Sequence, residues 1–182
     1  MKFLLFIFFF NLSFQNLIAQ KFFTESGITN FDGSKAAFEP IKASNKNTIS
    51  IIDSNSGEIA AVILINEFEF RLGLMQEHFN ENYLESNIYP KSTFEGLISN
   101  FDFNDLNQEF KKYEINGDLM IKGVTNKIVT EANIRRFDKN IELICSFSVL
   151  LSDYNVKIPK IVFKKIDEEV KINLNFVYVR KD

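Results

Sequence analysis

The stretch Leu74–Gly96, LMQEHFNENYLESNIYPKSTFEG, decides the fold because it interrupts a chain otherwise made of strand patterns. Within it Met75, Phe79 and Tyr83 recur at i, i+4 and i+8, a narrow apolar stripe among charged and amide residues. That spacing predicts a short amphipathic helix over Met75–Glu85. Tyr89-Pro90 then favours extended backbone and ends the helix, and Ser92–Ile98 resumes as a strand. A lone amphipathic helix between strands reads as a lid or plug rather than as one layer of an α/β fold, and plugs close cavities.

Outward from this segment, period-two alternation dominates. Val170–Val179 places Val170, Ile172, Leu174, Phe176 and Tyr178 on one face, with Lys171, Asn173 and Asn175 on the other. Tyr113–Val124 sets Ile115, Leu119 and Ile121 against Glu114, Asn116 and Lys122. Ile128–Phe137 and Asn140–Leu151 meet at Asp138-Lys139-Asn140, a hairpin signal. Thr48–Asp53 and Glu58–Leu72 meet at Ser54-Asn55-Ser56-Gly57, another. Inside Glu58–Leu72 the apolar parity changes, from Ile59, Ala61, Ile63 and Ile65 to Phe68, Phe70 and Leu72, which predicts a bulge or bend near Asn66-Glu67. Phe22–Ile28 and Ala36–Ser44 are extended segments before these, and Ser92–Phe103 follows the helix. Seven to nine strands in hairpin succession close best as an antiparallel barrel, with a sandwich as the alternative.

Met1-Lys2 followed by the apolar run Phe3–Phe10 and by Ala19 reads as an export leader over residues 1–19, shorter than the ~20 residues that span a bilayer. The expectation is one domain over 20–182, periplasmic or secreted after cleavage near Ala19, with no stable membrane insertion of the mature chain. The net charge of −3 comes from scattered Lys and Arg with no basic stripe, which excludes nucleic acid as the expected partner. A single cysteine, Cys145, cannot form an intramolecular disulfide and shares a strand face with Ile141, Leu143, Phe147 and Val149, so it reads as a small buried hydrophobe. The chain has 21 Phe and no Trp; such a surplus of rings either fills a core or lines a cavity.

The helix and its exit carry a resemblance to the YceI-like family, on Met75, His78, Phe79, Asn80, Asn82, Tyr83, Glu85, Ser86, Tyr89, Pro90, Thr93, Phe94 and Gly96. Tyr113–Val124, the Asp-Tyr-x-x-x-x-Pro element within Phe147–Pro159, and Lys165–Phe176 are similar to further family blocks in the same order. Gly27–Ser44 is only a loose counterpart of the opening strands and lacks the His that members typically carry there. The resemblance implies an all-β, extended antiparallel lipocalin-like β-barrel with one short inserted helix, an elongated apolar cavity, export, and a hydrophobic lipid partner of polyisoprenoid type.

No assembled catalytic site accompanies this. The only histidine, His78, lacks a nucleophile motif, and one His with one distant Cys cannot build the usual zinc set. Glu67 and Glu69, and the turn Asp167-Glu168-Glu169, read as solvated carboxylates. The chain is therefore expected to bind rather than catalyse, without metal or cofactor; a homodimer is compatible with the sequence. The candidate ligand-lining residues are Phe68, Phe70, Leu72, Met75, Phe79, Tyr83, Phe94, Ile98, Leu119, Ile121, Phe147, Val149, Tyr154 and Phe176, with Leu174 beside them. Tyr83, Tyr89 and Tyr154 could set hydroxyls near a head group. The competing expectation is a non-catalytic envelope protein whose barrel is filled by its own side chains.

Overall fold

Long alternating runs cut by turn residues fold into nine strands in the computed structural model, which describes residues 21–36, 38–159 and 165–181. The leader expected over 1–19 lies outside the described residues. The strands are β1 (Lys21–Ser34), β2 (Lys42–Asp53), β3 (Glu58–Leu64), β4 (Glu69–Phe70), β5 (Lys91–Ile98), β6 (Lys111–Ile121), β7 (Val124–Phe137), β8 (Asn140–Leu150) and β9 (Ile166–Arg180). The hydrogen-bonded order is β1-β9-β8-β7-β6-β5-β3-β2, and β1 also pairs with β2, so the sheet closes into an antiparallel barrel of eight strands. Closure pairs each of these eight strands on both sides, so none of them is an edge strand.

The bend expected near Asn66-Glu67 is a 3₁₀ turn, Ile65–Glu67, after which β4 pairs with Ala43 and Ser44 of β2. The turn re-phases the chain, so Ile59, Ala61, Ile63 and Ile65 before it and Phe68, Phe70 and Leu72 after it all face the interior. Helix α1 (Gly73–His78) begins two residues earlier than its stripe suggested and runs into a π-helical turn, Phe79–Tyr83. In the β6–β7 turn, Lys122 (φ 49°) and Gly123 (φ 74°) are both left-handed, the requirement of the tightest hairpins.

Three boundaries differ from expectation. β1 continues past Ile28 to Ser34, and Ala36–Ser44 and Thr48–Asp53 are not separate strands: β2 runs unbroken from Lys42 to Asp53. The break was suggested by the polar run Asn45-Lys46-Asn47. In the structure Asn45 is fully buried; its side chain donates to the Leu64 carbonyl (3.1 Å) and accepts from the Asn47 amide (2.9 Å). The register steps from Gly27–Thr48 to Thr29–Asn45, so the run is a β-bulge held by an amide. Finally, β5 stops at Ile98, short of Phe103, because Asn100 turns back with φ 53°.

The barrel's two ends are built differently. At the end holding the β2–β3 and β7–β8 turns, Phe22, Ile52, Ile98, Leu106, Ile134, Ile141 and Tyr178 form one cluster, each 2 % exposed or less. The β5–β6 connection folds Phe101, Phe103 and Leu106 against it, with Phe103 5.1 Å from Phe22 between ring centroids. A polar strut crosses it: the Tyr178 and Ser50 hydroxyls are 2.9 Å apart, and Ser50 donates to the Ala60 carbonyl (2.8 Å). At the other end, α1, Ile41 and residues 151–156 border open space.

Candidate functional site

Strands β6, β8 and β9 send alternate side chains inward along their whole length, yet those side chains do not meet above the packed end. A cavity of about 470 Å³ remains there. Its wall is almost wholly hydrocarbon, from every barrel strand except β2 and from α1. Phe68, Phe70, Leu72, Met75, Phe79, Tyr83, Phe94, Leu119, Ile121, Phe147, Val149, Tyr154 and Phe176 all stand on this wall, as does Leu174. Ile98 does not. It shares the inward face of β5 with Ser92 and Phe94, but lies at the far end of that strand, 1 % exposed in the packed cluster. Tyr89 is likewise off the wall, with its ring against Gly123.

The helix roofs the cavity. Met75, Phe79 and Tyr83 line it, so the i, i+4, i+8 stripe is the underside of the roof. A π turn advances more slowly than 3.6 residues per turn, which keeps Phe79 and Tyr83 on one side. Four rings gather beneath the roof. Phe79 stacks on Phe31 (5.3 Å between centroids, 12° between planes) and touches Phe68 (5.5 Å) and Phe70 (5.0 Å). Such pairs contribute about 0.5–1.5 kcal/mol each beyond burial. The helix exit is pinned by an ion pair of 2.6 Å between Glu85 and Lys122, whose side chain is only 11 % exposed. Leu72 and Leu74 also line the cavity and are 42 % and 62 % exposed, so the wall reaches the molecular surface at the start of α1.

Sequence reasoning missed Phe31, Thr29, Ile41 and Ile128 on the wall. For Phe31 a signal existed: Thr29, Phe31 and Gly33 alternate, but Asn30, Asp32 and Gly33 resemble a turn. For Ile41 no local pattern marks it, since it lies between strands.

Polar groups are few and peripheral. The Thr29 hydroxyl is taken up by Thr48 (2.8 Å). Burial raises the pKa of Tyr83. Burial also raises that of Tyr154, whose buried hydroxyl has no hydrogen bond of good geometry although the Asn126 side chain lies beside it. Cys145 lies on the wall with its thiol pKa raised by burial, the reverse of an activated nucleophile. Among the described residues, His78, exposed on the rim, and Lys165 are the wall residues that carry a basic group. Among the described residues no group of three or more His, Cys, Asp or Glu converges on a common point. The arrangement can desolvate a hydrocarbon; it offers little to hold charge.

The fold is shared with several solved structures. A polyisoprenoid-binding domain from Saccharophagus degradans, implicated in plant cell wall breakdown, superposes with a TM-score of 0.76 at 17 % identity, covering 90 % of this chain and 99 % of that one. Burkholderia cenocepacia BcnA gives 0.68 at 18 % identity, over 82 % and 95 % of the two chains. The Campylobacter jejuni YCEI protein gives 0.61 at 20 % identity, over 81 % and 89 %. Among curated protein sequences, none matches the chain. The YceI-like domain model matches residues 18–178, the span that holds the whole barrel from β1 to the inward face of β9, and the chain is a member of the YceI-like family.

Proposed function

We propose that this protein is exported and that its barrel sequesters or carries a hydrophobic lipid with an isoprenoid-like chain in the cell envelope, without catalysing a reaction. The observation that carries the reading is the half-exposed apolar wall: Leu119, Ile121, Phe147, Ile172 and Leu174 point inward yet keep accessible surface because none of the described residues fully covers them. Each methylene moved from water onto such a wall gains about 0.8 kcal/mol. A cavity of this size is in the range that encloses a small ligand. Described neighbours support the chain type, since the S. degradans domain is called polyisoprenoid-binding. Localisation in the periplasm or outside the cell rests on the leader-like residues 1–19. The filled-barrel alternative fits the packed end alone.

The test is native mass spectrometry of protein purified after export, with solvent extraction of anything bound. A discrete adduct extracting as a long-chain lipid is expected. Phe79→Asp, which puts a charge under the roof, is expected to abolish that adduct while leaving the far-ultraviolet circular dichroism unchanged. A clean apo mass, together with failure of added prenols to bind, overturns the reading.

A further inference from the structure

The cavity has a floor, and the floor is made of rings laid on glycines. Phe94 on β5 lies across the facing pair Gly96 and Gly117: a Cβ on either would sit 2.6 Å from its ring tip. Across the barrel the Phe176 ring lies on Gly27 in the same way, 2.6 Å from where a Cβ would be. Both rings line the cavity on one side and pack on the closed cluster on the other. Below them the barrel is solid, with Tyr178, Ile134 and Ile141 all at 0 % exposure. At Gly96 and Gly117 a Cβ would also come 2.4 Å from a backbone carbonyl, so close strand approach and the overlying ring both exclude a side chain there; the flat rings set the depth at which the void stops.

That depth can be measured along the strands. On β9 the wall continues from Phe176 past Val170 to Ile166; it runs from Ile115 to Ile121 on β6 and from Leu143 to Val149 on β8, the same number of residues on these two. At the strand rise this is about 20 Å, or about 15 Å along an axis to which strands tilt by roughly 35–45°. An extended chain advances about 1.2 Å per bond, so an isoprene unit of four main-chain bonds takes about 5 Å, and about three units fill the space.

We infer that the floor formed by Phe94 and Phe176 is a chain-length ruler that sets the protein's preference at a prenyl chain of about three isoprene units, or a hydrocarbon of equal length. The inference rests on the carrier reading above and narrows it. Carbons beyond the third unit pass the end of the β6 and β8 wall and gain little.

The experiment is competitive displacement of a bound fluorescent fatty acid by all-trans prenols of one, two, three, four and six units, on the full mature chain. Affinity is expected to rise about tenfold or more per unit up to the third, and to change little beyond it. Phe94→Ala opens the floor and should move the plateau out by one unit. Thr130→Phe, from a wall residue facing Ile115 at floor level, should move it in by one. Thermal melts show whether each variant is folded; should Phe94→Ala fail to fold, the parent series and Thr130→Phe carry the test. Affinity that keeps rising through six units in the parent overturns the ruler but leaves the carrier intact. So do folded variants that weaken all lengths by one common factor. Failure of every prenol to bind overturns both.

Discussion

Follow β6 from one end of the barrel to the other. Tyr113 and Ile115 are 5 % and 4 % exposed, whereas Leu119 and Ile121, on the same face of the same strand, keep open surface. β9 repeats the contrast: Tyr178 and Phe176 are buried, and Leu174 and Ile172 are not fully so. The two regions do not differ in apolarity, since both are lined by branched aliphatic and aromatic side chains. They differ in what the connections bring. The β5–β6 connection drives Phe101, Phe103 and Leu106 into the barrel, while the long connection before β5 lays a helix across the opening. A barrel can thus be plugged or roofed with one strand pattern throughout. The loops decide which.

The comparison breaks most visibly under truncation. Ile134→Ala, at 0 % exposure in the packed cluster, is expected to lower unfolding free energy by about 2–5 kcal/mol. Leu119→Ala, facing the cavity, should cost about 1 kcal/mol or less, because no cavity is newly created. Urea denaturation of the two variants checks this directly. Equal losses would mean that the roofed end is packed in solution as tightly as the plugged end.

These two ends were unequally legible from sequence. The closed barrel, the re-phasing near Asn66-Glu67 and the inward stripe of α1 follow from periodicity, which is a local property. Ile98 shows the limit: alternation places it on the inward face, but depth along the axis depends on register with strands far away in sequence. Asn45 shows another limit, since a buried amide inside a strand looks like a loop residue until its partner carbonyl at Leu64 is known. The rings over Gly27, Gly96 and Gly117 were invisible for the same reason, as each contact joins residues that only the folded sheet brings together.

A change at the roof's anchor sharpens the comparison at intermediate size. Gly123 has φ 74°, and a Cβ there would come 2.8 Å from the Tyr89 ring that follows the helix exit. Gly123→Ala is therefore expected to cost about 1–3 kcal/mol. The local consequence should be larger than the global one. Hydrogen exchange of Glu85 and Tyr89 amides should speed up, whereas protection in β7 near Ile134 should hardly change. Uniform acceleration in both places would argue that the two ends open as one unit.

The smallest expected effect is a pH dependence that distinguishes the ends chemically. Burial raises the pKa of Tyr178 strongly above its ordinary 10.0, against a smaller opposing effect from the Ser50 hydrogen bond. It raises Cys145 above its ordinary 9.0. In both cases the folded chain keeps a proton that the unfolded chain releases, so unfolding releases protons and stability falls as pH rises past the ordinary value. The contribution is fully present below that value, and each group adds a slope of at most about 1.4 kcal/mol per pH unit. Tyr178→Phe leaves Ser50 bonded to the Ala60 carbonyl, so it should cost only about 1 kcal/mol at neutral pH and flatten the decline above pH 10.0. Cys145→Ala should flatten it from pH 9.0 upward. Tyr83 and Tyr154 face the cavity and are also raised by burial, so tyrosinate absorbance should show their ionisation shifting further upward when a hydrocarbon is bound. Tyr178, sealed beneath the floor, should titrate only as the protein unfolds, with or without ligand. A ligand-dependent Tyr178 titration would place the floor deeper than Phe94 and Phe176, and would carry the cavity into the end that the crossed side chains now fill.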